Sequence, residues 1–136
     1  MNDRYLYRAK RADNGEWIIG NLVYSENASI GYEYMIMPTQ IIGNWSTVLK
    51  DTICQCTGLK DKNGNLIWEN DICRRILLPT KRIEKNFRIA YVPYKCCLSA
   101  IDLDGSNITF LSDYINNQYE VEVIGNIFDN PELLEK

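Results

Sequence analysis

The run Thr57-Gly58-Leu59-Lys60-Asp61-Lys62-Asn63-Gly64-Asn65-Leu66-Ile67-Trp68-Glu69-Asn70-Asp71-Ile72 decides the fold. Its centre, Lys62-Asn63-Gly64-Asn65, gathers residue types that accept positive φ or bond their own backbone in a tight turn. Segments with strand character flank it, residues 52–57 before it and Leu66-Ile67-Trp68 and residues 71–78 after it. The polar content invites a reading of Asp61, Glu69 and Asp71 as carboxylates for a divalent ion or acid–base work. Turn chemistry explains the same residues with less, because Asx side chains satisfy backbone amides. Asp61, Asn63, Gly64, Glu69 and Asp71 therefore read as a structural turn element.

Outward from this run, apolar and aromatic residues recur at period two in short segments separated by Gly, Asn and Asp, the pattern of strands joined by turns. Tyr5, Tyr7 and Ala9 alternate with Arg4, Arg8 and Lys10. Asp13-Asn14-Gly15 then predicts a hairpin returning over residues 17–24. Residues 34–37 make a third strand ended by Pro38, which lacks an amide donor. Strands are further expected over 87–92, 96–102, 108–111 and 119–125, with Asp104-Gly105-Ser106-Asn107 as another hairpin turn. Asn130 or Asp129 as a cap and Pro131 at the first position predict one short C-terminal helical turn. No repeat, linker or low-complexity segment interrupts the pattern.

The chain has 136 residues, 46% of them hydrophobic, which suits one domain with a modest core. Its division is expected as an N-terminal β-hairpin part, 1–50, and a barrel-like core, 51–136. A net charge of −3 argues against wholesale adhesion to nucleic acid or an anionic membrane. The N-terminal residues lack the apolar core of a signal peptide, and no apolar run approaches membrane-spanning length, so a cytoplasmic location is expected. Five cysteines, Cys54, Cys56, Cys73, Cys96 and Cys97, fit free thiols in a reducing compartment. Their spacing departs from paired C-x₂-C zinc knuckles, and small buried hydrophobes are the simpler reading, so neither a metal nor another cofactor is expected.

Histidine is absent, which removes Ser/His and Cys/His catalysis and the commonest general base. Charge is uneven along the chain. Between residues 74 and 95, seven cations stand against Glu84 alone, a net of +6, while residues 102–136 carry eight acids and one lysine, a net of −7. The two segments are suited to attract each other, within one fold or across a subunit contact. If a ligand or nucleic acid binds, Arg74, Arg75, Lys81, Arg82 and Arg88 offer phosphate contacts and Trp45 and Trp68 offer stacking rings. Aromatics in a small β domain more often fill the core or a subunit contact.

Residues 57–72 and the closing run YEVEVIGNIFDNPELL, 119–134, resemble the YopX-like family of small proteins found largely in phages and prophages. The first run carries the resemblance through Thr57, Gly58, Leu59, Asp61, Lys62, Asn63, Gly64, Ile67, Glu69, Asp71 and Ile72. The second carries it from Val123 to Phe128 and from Asn130 to Leu134, and the opening YRAKRADNGEW, 7–17, is similar to the family's start. Cys56, Asn70 and Cys73 depart from the family pattern, where Tyr, Gly and Val are usual. The resemblance implies a mainly β fold, a small SH3-like barrel or roll, and no activity that transfers residue by residue. The expectation is therefore a non-enzymatic phage or prophage accessory protein in the bacterial cytoplasm. It would act as a homo-oligomer or by binding a phage or host protein, with nucleic-acid or nucleotide binding as the alternative.

Overall fold

Turn formers at short intervals leave no segment long enough for a helix, and the computed structural model, describing residues 3–38 and 44–135, is built from eleven strands with no α-helix among them. Every pairing is antiparallel. The chain divides into two units, residues 1–58 and 59–136.

The first unit contains β1 (Tyr7–Lys10), β2 (Trp17–Tyr24), β3 (Tyr34–Pro38), β4 (Ser46–Thr47) and the start of β5 (Cys54–Lys60), in the order β4-β3-β2-β1-β5. The predicted Asp13-Asn14-Gly15 turn joins β1 to β2, with Gly15 at φ 73° and Lys10 opposite Trp17. Pro38 ends β3 opposite Gly20, where any Cβ would run into the Met37 carbonyl. Ala9, Ile36 and Val48 form a small core under Tyr7, Ile18, Leu22, Tyr34 and Ile53. β4 has only two residues and no periodicity to announce it.

The second unit begins with the end of β5 and β6 (Leu66–Trp68). A five-stranded sheet follows, of β7 (Asp71–Leu77), β8 (Arg82–Val92), β9 (Cys97–Asp102), β10 (Ile108–Phe110) and β11 (Tyr119–Asn126), ordered β10-β9-β8-β7-β11. β8 starts five residues earlier than its apolar run, because Arg82, Glu84 and Lys85 mask a pairing that sets Ile83 opposite Ile76. Cys73, Phe87, Ile89, Ala100 and Val121 on one sheet face pack with Ile67, Leu111 and Tyr114. Each large apolar side chain so buried stabilises the fold by about 1.5–3 kcal/mol.

The expected barrel is not closed: this sheet keeps two edges, β10 and β11. The expected tail turn forms as a 3-10 turn over Pro131–Leu134 with Asn130 before it. Asn130 does not cap it through its side chain; its Oδ1 instead accepts the Asn126 amide of β11 at 3.2 Å. Gly125 makes room for this return, since a Cβ there would meet Asn130 Oδ1 at 2.5 Å and Leu133 Cδ1 at 2.9 Å.

Candidate functional site

Asp61, only 8% exposed, sits where the 61–65 turn meets the second unit's sheet. Its Oδ1 accepts the amides of Asn63 and Asn65, both at 2.9 Å, and its Oδ2 accepts the Val123 amide of β11 at 3.0 Å. The Lys62 amide donates to the Val121 carbonyl at 2.8 Å, and Lys62 Nζ lies 3.6 Å from the Glu120 carboxylate. One carboxylate thus organises the turn and fastens it along the outer side of β11, so the turn covers an edge.

Asp71, also buried, accepts the Trp68 amide at 2.8 Å, and Asn70 takes positive φ, 71°, in the turn that also contains Glu69. Burial, with the Asp71 and Asp61 carboxylates nearby, pushes the Cys73 thiol well above its ordinary value. Cys73 is thereby held as a neutral core side chain rather than a nucleophile. Cys54 and Cys56 are likewise buried, and all five cysteines are free thiols. Among the described residues, no three His, Cys, Asp or Glu side chains gather as a metal site.

The basic segment meets the acidic one within the second unit. Arg74 Nε stands 2.6 Å from Glu122 Oε1 across the β7–β11 pair, and this hydrogen bond holds the Glu122 carboxyl below its usual range. Arg75 lies over the rings of Tyr114 and Tyr119, at 4.5 and 4.9 Å, and contacts Glu84 at 3.2 Å. Arg82 reaches the same Glu84 at 3.0 Å, and Lys85 reaches Asp104 at 3.0 Å. Ser106 and Lys85 together keep the Asp104 carboxyl far below its normal value.

Three of the five candidate cations, Arg74, Arg75 and Arg82, are therefore engaged internally; Lys81 and Arg88 form no ion pair among the described residues. Trp68 corrects the sequence reading most sharply. At 4% exposure it is buried beside the core and presents no ring to a ligand. Trp45, 46% exposed, belongs to the first unit, where it borders a cavity of about 330 Å³ with Arg11, Ala12, Asp13, Tyr32, Ser46 and Thr47. The exposed stacking candidate and the candidate cations thus belong to different units.

The sequence missed the opposite edge of the five-stranded sheet. β10 pairs with β9 on one side, and Ile108 and Phe110 are 39% and 45% exposed upon it. Lys95 Nζ lies 4.4 Å from the Phe110 ring centroid and 5.8 Å from that of the exposed Tyr94, so an aromatic and cationic cluster adjoins the edge. The strand was legible in sequence, but its position at the end of the sheet was not, because strand order leaves no trace in periodicity. No helix among the described residues is long and apolar enough to cross a membrane.

No curated protein matches this chain. The family model described as YopX protein matches residues 6–135, nearly the whole length, and the chain belongs to the YopX family.

Proposed function

We propose that this is a non-enzymatic accessory protein of phage or prophage origin that works in the bacterial cytoplasm by assembling with itself or with another protein. The observation that supports it best is the β10 edge, where a strand with one pairing partner among the described residues exposes Ile108 and Phe110 beside Lys95. Addition of a strand there extends the sheet through main-chain hydrogen bonds, while the apolar side chains supply specificity. An SH3-like kinship of the second unit fits this reading. Strands β7 to β10 meander, the 3-10 turn Leu111–Tyr114 follows, and β11 returns to pair with β7.

The nucleic-acid alternative draws less support from the basic segment, because Arg74 is engaged by Glu122 and Arg75 and Arg82 share Glu84. Size-exclusion chromatography with light scattering, over a range of concentrations and with a pull-down from host lysate, tests the proposal. It predicts a mass above that of one chain or a specific captured partner. A strict monomer that captures nothing contradicts it.

A further inference from the structure

We propose that the first-unit cavity bordered by Trp45 and Tyr32 binds the base of a free nucleoside or nucleotide. Its volume, about 330 Å³, lies at the lower end of the range for small-ligand pockets, so it suits a compact planar group. Trp45 and Tyr32 are both exposed and stack on no other ring among the described residues, so two aromatic surfaces stand available at one cavity. Neither ring fills the small apolar core of this unit.

The polar part of the wall is fixed in place. Arg11 Nε and Nη2 donate to the two oxygens of Asp13 at 3.1 and 2.8 Å, and this pairing holds the Asp13 carboxyl below its usual value. The backbone carrying them is tied on both sides. Arg11 bridges to Val48, its amide donates to the Glu16 carbonyl at 2.8 Å, and the Ala12 amide donates to the Thr47 carbonyl at 2.9 Å.

Arg11 and Asp13 use only part of each other's capacity: the guanidinium keeps further N–H donors and the carboxylate further lone pairs, a donor beside an acceptor that matches the edge of a nucleobase, where donors and acceptors also alternate. The Arg11–Asp13 pair is net neutral and the whole chain carries −3, which favours a single base over a polyanionic strand. Stacking provides the attraction, and the remaining donors of Arg11 and acceptors of Asp13 provide orientation.

Isothermal titration calorimetry with the four ribonucleosides, their 5′-monophosphates and a short single-stranded oligonucleotide tests the inference. At least one nucleoside or mononucleotide is expected to bind at a single site. Trp45→Ala should weaken it by about tenfold or more, while Trp45→Phe keeps most of the affinity. Tyr32→Ala and Asp13→Asn probe the same wall through other exposed side chains, and each should also weaken binding, with circular dichroism checking that the variants remain folded. Absence of binding to every nucleoside and mononucleotide, binding to the oligonucleotide alone, or affinity unchanged in folded Trp45→Ala overturns it. None of these results bears on assembly through β10.

Discussion

The two edges of the five-stranded sheet are treated oppositely. Along β11, the 61–65 turn lies against the strand, with Asp61 and Lys62 taking up the Val123 amide and the Val121 carbonyl, and ion pairs reinforce both sides of the strand at Glu120 and Glu122. Along β10 the sheet ends in three residues, two of them large, apolar and exposed. A sheet edge is a template for further pairing unless it is covered, charged or interrupted. One edge here is covered by the chain itself, and the other has no further strand beside it among the described residues, which is where the proposed assembly would add one.

The largest effect on this contrast should come from Asp61→Ala, which removes the acceptor of three backbone amides at a buried position. Hydrogen bonds to a charged group contribute about 1.5–3 kcal/mol each, and their losses at one side chain overlap, so a destabilisation of about 3 kcal/mol or more is expected by urea unfolding. Asp61→Asn retains one acceptor oxygen and should cost less. A cost below about 0.5 kcal/mol for Asp61→Ala would mean the turn does not hold the β11 edge.

Next in size is Arg74→Met, which breaks the Arg74–Glu122 bridge between β7 and β11. The pair is partly exposed, so the cost should stay near or below about 1 kcal/mol. Its clearer signature is titration: the Glu122 carboxyl, held below its ordinary 4.5 by Arg74, should move back up towards that value in an NMR titration of the variant. A Glu122 titration unchanged by the substitution would remove the bridge from the account.

Acid should act in the same direction on the whole protein. Glu122, Asp104 and Asp13 are all easier to ionise in the fold than their ordinary values of 4.5, 3.8 and 3.8. Their contribution is complete above those values and is lost as the pH falls through the lower folded ones. The urea midpoint should fall gradually below about pH 4.5, with added salt flattening the slope. A midpoint that rises on acidification would contradict these ion pairs.

The smallest stability effect is expected at the open edge. Phe110→Glu should change unfolding free energy by no more than about 0.5 kcal/mol, because the ring is partly exposed and Lys95 exchanges it for a carboxylate, yet it should abolish assembly detected by light scattering. Loss of stability without loss of assembly would reverse the roles of the two edges.

Much of this contrast was legible from residues. Asp61, Asn63 and Gly64 announced the turn, and the opposite charges of residues 74–95 and 102–136 announced an attraction that takes shape as Arg74–Glu122 and Lys85–Asp104. What the sequence hides is sheet order. Trp68 looks the same in sequence whether it lines a groove or the core, and only the folded structure shows it buried. Ile108 and Phe110 alternate as core strands do, yet they lie exposed on the last strand of the sheet. The Trp45 cavity was out of reach for a related reason, since it joins Tyr32 and Trp45 to Arg11 and Asp13 from the far end of a hairpin.

Amide hydrogen exchange, followed at residues 108–110 and 121–123 across protein concentrations that span assembly, tests the contrast most directly. Residues 121–123 should be protected equally at every concentration, and residues 108–110 should exchange quickly in dilute protein and become protected as it assembles. Exchange at 108–110 that stays equally fast in the assembled and the dissociated protein would contradict the account.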